Sequence, residues 1–197
     1  NRARRAHARR RLAPPQGLKW LDVGCGNGAF TELLQARYAP AAIDGIDPSE
    51  AQIAFARQRP VGRRAAFRLG DAQSLPYPNA SFDTAVMALV IFFVPDPAKG
   101  VAEMARVVRP GGSVSAYAWD VPGGGLPMAP IQTAMHAMGL KPPLPPSSDA
   151  SRIDTLRDLW AGAGRVDIET REIVVSRTFD DVDDPVHDQG PRARAVR

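Results

Sequence analysis

Glycines and aspartates stand at the ends of three predicted strands, where a folded chain can bind a ligand. Gly24, Gly26 and Gly28 follow the first of these strands and precede a predicted helix. Because glycine has no side chain, such a loop lets a ligand lie against the backbone at a helix N-terminus. The same residues satisfy the dinucleotide fingerprint G-x-G-x-x-G/A, with Ala29 in the last place. The glycines alone therefore predict a cofactor site but leave the cofactor open.

Asp22 lies two residues before the first glycine and bears on which cofactor the loop binds. Its carboxylate repels the pyrophosphate that a nicotinamide dinucleotide places at this point, whereas it suits a cation. S-adenosylmethionine carries an amino group and a sulfonium and has no phosphate, so Asp22 favours this cofactor. The alternative, in which Asp22 only ties the backbone of the loop, is compatible with either cofactor.

Two further aspartates end the second and third strands. Asp47 comes 23 residues after Gly24, where a carboxylate can accept hydrogen bonds from both ribose hydroxyls of an adenosine. Asp71 follows the third strand, where it can accept from the adenine amine while the amide of Ala72 donates to the ring. Each has a simpler alternative: Asp47 as an acid at a helix N-terminus, and Asp71 as a turn residue. The order of the three aspartates along the chain favours an adenosine site.

Strands and helices alternate along most of the chain. Apolar runs bounded by glycine, proline and aspartate predict strands at 19–23, 41–46, 65–69, 82–89 and 113–118. Helices are predicted at 29–37, 49–59, 97–108 and 153–163, the third ended by the Pro-Gly-Gly segment at 110–112. The segments 166–169 and 173–179 alternate as an antiparallel strand pair. This order predicts an α/β fold: a Rossmann-like, doubly wound, mostly parallel sheet with an antiparallel C-terminal strand pair.

The chain divides into one domain and two tails. Residues 1–17 form a basic tail, 18–179 the domain and 180–197 a second tail, and both tails are expected to be disordered. Within the domain, 121–150 holds seven prolines and four glycines around a short helix at 131–138, so it is an insertion on the substrate side. Apolar side chains here are expected to wall an acceptor pocket, or alternatively to pack on the sheet. They are Trp119, Leu126, Met128, Ile131, Met135 and Met138.

Composition limits the class of protein. With 197 residues, 44% of them hydrophobic, the chain has the size and composition of one globular domain. The net charge of +4 reflects nine arginines in the first eleven and last six residues, and 12–190 carry −5, so nucleic acid is not the expected partner. The single cysteine, Cys25, excludes an internal disulfide and predicts a reducing, cytoplasmic location. No apolar run reaches the roughly 20 residues of a membrane span.

Four motifs in this order resemble a known enzyme family. They are LDVGCGNGAF, GIDPSE, GDAQSLPYPNASFD and VPDPAKGVAEMARVVRPGG, and they extend over about 18–119. Together they resemble the type 11 domain of class I S-adenosylmethionine-dependent methyltransferases, and they are similar to the C-methyltransferases of ubiquinone and menaquinone biosynthesis. The resemblance implies that the glycine loop and Asp22 hold the methionine part of the cofactor, Asp47 the ribose and Asp71 the adenine. The implied cofactor-binding set is Asp22, Gly24, Cys25, Gly26, Gly28, Asp47, Pro48, Asp71, Ala72, Ala88 and Leu89.

The methyl acceptor and the catalytic group are less well defined. Methyl transfer from a sulfonium is an in-line displacement on an activated donor, so positioning a small, apolar or aromatic acceptor can supply much of the catalysis. A base is needed only where the acceptor must lose a proton. Asp120, after the fifth strand, is the candidate base, since the three histidines lie in the tails or the insertion. Many relatives carry a histidine pair where this chain has Phe92 and Phe93, and an N-terminal helical cover where it has the basic tail.

Other functions fit parts of the same pattern. A nicotinamide-dependent oxidoreductase would use the glycine fingerprint and Asp47 but conflicts with Asp22. A truncated, methyltransferase-like domain that binds cofactor without turnover would follow if the short N-terminal segment left the site uncovered. Methylation of DNA or RNA ranks below both, because the chain lacks a motif such as Asp-Pro-Pro-Tyr after the fourth strand. The sequence thus predicts a methyltransferase that acts on a small molecule.

Overall fold

The computed structural model describes residues 16–175 and 192–196. Its strands are β1 (Lys19–Val23), β2 (Ala42–Asp47), β3 (Ala66–Leu69), β4 (Phe82–Ala88), β5 (Val108–Trp119), β6 (Thr170–Val174) and β7 (Arg192–Val196). Its α-helices are α1 (Ala29–Tyr38), α2 (Glu50–Gln58), α3 (Pro97–Val107), α4 (Ala129–Ala137) and α5 (Ile153–Gly162). Short 3-10 helices occupy Pro60–Arg63, Ile91–Phe93 and Ser148–Ser151. Within the described ranges, no helix is both long and apolar enough to span a membrane.

The described strands form one sheet in the order β3-β2-β1-β4-β5-β7-β6. β1 to β5 are parallel, whereas β7 runs antiparallel to both of its neighbours. Strand order reverses at β1, which has β2 on one side and β4 on the other. In open sheets of this kind, ligands bind at the carboxyl ends of the strands beside the reversal. The predicted Rossmann-like, doubly wound α/β fold with a parallel central sheet is confirmed.

The starts of two helices follow from local residue types. The Ser49 hydroxyl accepts a hydrogen bond from the backbone N–H of Gln52 at the start of α2, as its position predicted. At the start of α3, the Asp96 carboxylate accepts from the N–H of Lys99, and Pro97 occupies the first turn. These caps satisfy donors that a helix start leaves unpaired. Each cap therefore helps to define the residue at which its helix begins.

The core lies between the sheet and the helices that cover it. β4 is buried along most of its length, as a central parallel strand should be. Helix α3 contributes Val101 and Met104, both fully buried, to this core. Helix α5 contributes Leu156 and Trp160, also fully buried, and the Trp160 indole N–H donates to the Val114 carbonyl on β5 at 2.9 Å. This packing fixes β4 and β5, whose carboxyl ends lie beside the glycine loop.

The boundary between α3 and β5 differs from the prediction. We expected the Pro-Gly-Gly segment at 110–112 to separate the helix from the strand, but β5 begins at Val108, directly after α3, and includes that segment. The register between β4 and β5 is irregular at this point. A Cβ on Gly112 would lie 2.4 Å from the carbonyl oxygen of Asp83. β5 pairs with β4 at Val108 and again from Ser113, so residues 109–112 form an irregular, closely packed segment within the strand.

The C-terminal strands also differ from the prediction. We expected 166–169 to pair with 173–179, but 166–169 contain no strand and β6 begins at Thr170. Residues 176–179 lie outside the described part of the chain. β6 pairs with β7, whose residues 192–196 we had assigned to a disordered tail. β7 also pairs with β5, because the outer edge of that strand would otherwise leave backbone groups unpaired.

Candidate functional site

The glycine loop after β1 lies at the carboxyl edge of the sheet. The backbone N–H groups of Gly24 and Cys25 both donate to the Ile46 carbonyl near the end of β2, at 2.8 and 3.0 Å. Gly24 has a φ of 72°, and a Cβ there would lie 2.5 Å from the methyl carbons of Val90. At Gly26, by contrast, no heavy atom lies within 4 Å of an added Cβ. The loop is therefore closely packed at its start and open at its middle, where a ligand can approach the backbone.

Two further loop residues are buried. Gly28 precedes α1 with a φ of 79°, and its N–H donates to the Cys25 carbonyl at 2.9 Å. The Cys25 side chain is 5% exposed, and burial raises the pKa of its thiol, as do the charges of Asp22 and Asp47. The thiol therefore stays protonated near neutral pH and is not an activated nucleophile. Cys25 serves the site as a small buried residue.

Asp22 is fully buried below the glycine loop. Its Oδ2 accepts a hydrogen bond from the Thr31 hydroxyl on α1 at 2.6 Å, and its Oδ1 has no hydrogen-bond partner among the described residues. Burial raises the pKa of Asp22 to about 7, the Thr31 hydroxyl lowers it and the charge of Asp47 raises it. Among the described residues, Asp22 therefore pairs with a helix side chain. The simpler alternative, in which Asp22 ties the loop backbone, does not describe this contact. A buried acceptor without a partner is unfavourable, so this oxygen suits a donor or a cation supplied by a ligand.

Asp47 joins the glycine loop to the start of α2. Its Oδ2 accepts from the N–H of Gly26 and its Oδ1 from the N–H of Ser49, both at 2.9 Å. Pro48, which lies between Asp47 and Ser49 in the sequence, is exposed. Each carboxylate oxygen has a second lone pair, so Asp47 keeps the capacity to accept from the hydroxyls of a ligand while it holds the loop.

Asp71 lies in a turn after β3. Its Oδ1 accepts from the backbone N–H of Gln73 at 2.9 Å, and the Gln73 side-chain amide donates to both of its oxygens. Asp71 itself is exposed, and Ala72 packs against the main core. The contacts that Asp71 makes in this structure are those of a turn residue, which was its simpler alternative. They leave lone pairs available, so the geometry is also compatible with an adenine contact.

A cavity of about 430 Å³ opens beside the glycine loop. Five residues of the predicted cofactor-binding set line it, namely Gly24, Cys25, Gly26, Ala88 and Leu89. Leu89 has a φ of 61°, in the left-handed region that is unfavourable for a residue with a side chain. Its N–H donates to the Tyr117 carbonyl on β5 at 2.8 Å, which holds this conformation. The end of β4 is thus turned into the cavity by its contact with β5.

Two aromatic residues that line the cavity are not in the predicted cofactor-binding set, although Phe30 ends the LDVGCGNGAF motif. Phe30 and Tyr117 both line the cavity, and their ring centroids lie 5.6 Å apart in an edge-to-face arrangement. Burial raises the pKa of the Tyr117 phenol, and the charge of Asp22 raises it further. Tyr117 pairs with Ala88 across β4 and β5. The available signal in the sequence was the place of Tyr117 near the carboxyl end of the strand predicted at 113–118, since ligands bind at that edge of such a sheet.

Asp120 is buried in the loop after β5. Its Oδ1 accepts from the N–H of Gly123 at 3.1 Å, and its backbone carbonyl accepts from the N–H of Gly125 at 2.7 Å. A Cβ on Gly123 would lie only 2.0 Å from Asp120 Oδ2, so this turn requires glycine. Asp120 is not among the residues that line the cavity at the glycine loop. Its described contacts stabilise the loop.

The insertion at 121–150 keeps most of its apolar side chains away from the core. Helix α4 has no buried residue, and Met128, Ile131 and Met138 are 55%, 51% and 75% exposed. Trp119 and Leu126 are partly buried and pack against the main core. The insertion therefore presents an exposed apolar helix near the carboxyl edge of the sheet.

The phenylalanines that replace the histidine pair of many relatives have different surroundings. Phe92 is 2% exposed and belongs to the core, whereas Phe93 is 59% exposed. Neither supplies a titratable group to the cavity. In the described ranges, no group of three or more His, Cys, Asp or Glu residues is placed to hold a metal ion.

Residues 21–116 match a family described as a methyltransferase domain. The chain is 34% identical over 150 residues to the O-methyltransferase cnsE of Penicillium expansum, which covers 73% of this chain and 52% of that protein. It is 37% identical over 123 residues to demethylmenaquinone methyltransferase of Deinococcus radiodurans, which covers 61% of this chain and 48% of that protein. The chain thus spans about half the length of these curated relatives.

The fold is also similar to that of solved methyltransferases. Phosphoethanolamine N-methyltransferase 2 of Haemonchus contortus, in complex with S-adenosyl-L-methionine, has a TM-score of 0.64 and 20% identity, over 87% of this chain and 39% of that chain. At 20% identity, this similarity is evidence for the fold alone. The matches as a group do not favour the nicotinamide-dependent alternative.

Proposed function

We propose that this chain, which belongs to the family of S-adenosylmethionine-dependent methyltransferases, transfers a methyl group from that cofactor to a small, apolar or aromatic acceptor. The observation that carries the proposal is the fully buried Asp22, with its unpartnered Oδ1 below a loop that is open at Gly26. A cationic ligand without phosphate groups suits such a site.

The described residues fit S-adenosylmethionine. In our proposal, Asp22 and the glycine-loop backbone hold the methionine part, Asp47 the ribose, and Asp71 with Ala72 the adenine. Asp22 offers an acceptor that no described residue satisfies, and Asp47 retains acceptor capacity beyond its two loop contacts. When bound, the cofactor supplies a methyl group on positively charged sulfur.

The residues of the chain contribute mainly by positioning. Phe30, Leu89 and Tyr117 form an apolar wall that excludes water and orients an acceptor beside the glycine loop. Such orientation can contribute roughly 7–11 kcal/mol to lowering a barrier. Asp120 was the candidate base, and we now propose that its main role is to hold the turn at Gly123, since its carboxylate accepts from that N–H.

The exposed apolar helix α4 supports an apolar acceptor. Three apolar side chains on or beside this helix, Met128, Ile131 and Met138, are exposed and lie in the insertion that follows β5. Methionine side chains adapt to ligands of different shape. One curated relative is a demethylmenaquinone methyltransferase, and this name also agrees with a ring-bearing, apolar acceptor.

Transfer of a labelled methyl group tests this proposal. The purified chain is incubated with S-adenosylmethionine that carries an isotopic methyl label and with a panel of hydroquinones, phenols, fatty acids and amines. We expect label in an apolar ring compound, protection of 121–150 from hydrogen exchange by that acceptor, and a turnover in Asp120→Asn within about threefold of wild type. Binding of S-adenosylhomocysteine without transfer to any of these acceptors would instead favour the domain that binds cofactor without turnover.

Asp22 makes the stability of the cofactor-free chain depend on pH. Its pKa of about 7 exceeds the ordinary value of 3.8 because of burial. Between about pH 4 and pH 7 the folded chain therefore binds more protons than the unfolded chain, so the free energy of unfolding falls as the pH rises. The contribution of Asp22 is fully present below about pH 4 and is lost above about pH 7. Urea titrations should show a fall of a few kcal/mol over this window, most of which Asp22→Asn removes.

Cofactor binding should depend on pH in the opposite sense. An amino cation beside Asp22 favours the ionised carboxylate, so the affinity for S-adenosylhomocysteine should increase as the pH rises toward about 7, with release of a proton. Calorimetry in two buffers of different ionisation enthalpy measures this proton. The Asp22→Asn variant should release none. If the wild-type chain bound S-adenosylhomocysteine with the same affinity below and above about pH 7, the result would contradict the placement of the amino group beside Asp22.

A further inference from the structure

A second pocket, of about 610 Å³, lies between α1 and the segment that follows α2. Its charged and amide side chains are Glu32, Gln35, Gln58, Arg59, Arg63 and Arg64. The pocket is lined by one face of α1, from Glu32 in its first turn to Ala36, and by the C-terminal end of α2 with the segment that follows it. The pocket shares no lining residue with the cavity at that loop. It is therefore separate from the methyl-transfer site proposed above.

The lining of this pocket has an excess of positive charge, with three arginines against one glutamate. Arg59 is paired with Glu32, and its Nε donates to the Glu32 carboxylate at 3.1 Å. Arg63 and Arg64 are exposed, and neither guanidinium has a hydrogen-bond or ion-pair partner within the part of the chain that the structure describes. Two neighbouring cations without a counterion repel each other, so an anion in this pocket would stabilise them.

The backbone that carries these arginines is held in place by its own sequence. It forms the 3-10 helix Pro60–Arg63, in which Val61 is 3% exposed and anchors the segment in a small core cluster. A Cβ on Gly62 would lie 2.3 Å from the Arg57 carbonyl oxygen, so the tight turn requires glycine. The N–H of Arg64 donates to the Val61 carbonyl at 2.8 Å. The two unpaired arginines are thus presented by a packed turn, which reduces the entropy lost when they bind a ligand.

We propose that this pocket binds a small molecule that bears phosphate groups. The planar guanidinium of arginine donates two parallel hydrogen bonds to phosphate oxygens, and two adjacent arginines match a diphosphate or a phosphomonoester dianion. Arg63 and Arg64 bind the phosphate groups, and the amides of Gln35 and Gln58 donate to the remaining polar atoms. The Glu32–Arg59 pair also lines the pocket, where the glutamate disfavours additional negative charge.

Calorimetric titration with inorganic pyrophosphate tests the proposal. The full chain is first saturated with S-adenosylhomocysteine, so that binding at the glycine loop does not contribute to the signal. We expect wild type to bind at low salt and the double variant Arg63→Gln/Arg64→Gln to lose at least about tenfold in affinity. Glu32→Gln, which removes the carboxylate and releases Arg59, should bind several-fold more tightly.

A charge-matched variant separates a specific pocket from general electrostatic attraction. Arg152→Gln/Arg171→Gln also removes two positive charges, from exposed positions outside the pocket. We expect its affinity for pyrophosphate to equal that of wild type. An equal loss in both double variants would overturn the proposal, as would absence of pyrophosphate binding by wild type. Binding to vesicles that contain phosphatidic acid, without binding to pyrophosphate, would assign the arginines to a membrane surface and would also overturn it.

Discussion

Calorimetric titration with S-adenosylhomocysteine should show an affinity at least about a hundredfold lower for Asp47→Ala than for wild type. The carboxylate of Asp47 accepts the N–H groups of Gly26 and Ser49 at 2.9 Å each, and in our proposal it also accepts the ribose hydroxyls. A hydrogen bond to a charged group contributes about 1.5–3 kcal/mol, and ~1.4 kcal/mol is a tenfold change in affinity. Loss of two such bonds to the ligand gives the expected effect.

A second aspartate on the same strand provides the control. Asp44 pairs with Arg68 at 3.5 Å and lies outside the glycine loop, so Asp44→Ala should change the affinity by less than about threefold. Asp47→Asn keeps an acceptor oxygen and should fall between Asp47→Ala and wild type. Unchanged binding in Asp47→Ala would contradict the ribose assignment. Binding of NAD by wild type, lost in Asp47→Ala, would restore the dinucleotide alternative.

Replacing Trp160 with alanine should reduce the free energy of unfolding by about 3–5 kcal/mol. The indole is fully buried between α5 and the sheet, and its N–H donates to the Val114 carbonyl at 2.9 Å. The substitution removes a large apolar contact, leaves a cavity and removes the donor to that carbonyl. Urea or guanidinium denaturation, followed by circular dichroism, measures the loss.

Two variants test whether this effect comes from the buried indole. Trp160→Phe keeps most of the apolar contact but not the N–H, so its loss should be smaller than that of Trp160→Ala. Leu159→Ala, at the neighbouring half-buried position, should cost less because the side chain is only partly removed from water. A loss below about 1 kcal/mol in Trp160→Ala would contradict the packing of α5 on the sheet.

The sequence predicts most elements because their signals are local. Apolar runs between glycine, proline and aspartate locate β1 to β4 and all five α-helices to within a few residues. The start of β5 was predicted five residues too late, because Val108 pairs with Phe82 ahead of the irregular segment at 109–112, and this isolated pairing has no local sequence signal. The partner of β6 was mispredicted for a similar reason. It comes from residues 192–196, and pairing between distant segments leaves no local pattern in either of them.

The residues of the candidate site also fall into two groups, those predicted from local sequence and those that only the structure identified. The glycines and Asp22, Asp47 and Asp71 were predicted from their residue types and their order after strand ends. Phe30 and Tyr117 were not assigned to the site as individual residues, because their contact depends on how α1 packs beside β5. The insertion gave an apolar composition, but its exposure on α4 could not be predicted, since composition does not define what covers a helix.

The sequence by itself determines the order of the elements, the chemical types at the strand ends and the resemblance to a methyltransferase domain, since each of these depends on local motifs and their order along the chain. Only the tertiary structure decides that one oxygen of Asp22 is buried without a described partner, that Leu89 turns into the cavity and that Arg63 and Arg64 share a pocket with α1. Burial, pKa and charge balance depend on the atoms that surround a group. Those atoms come from distant segments, which meet only when the sheet has formed.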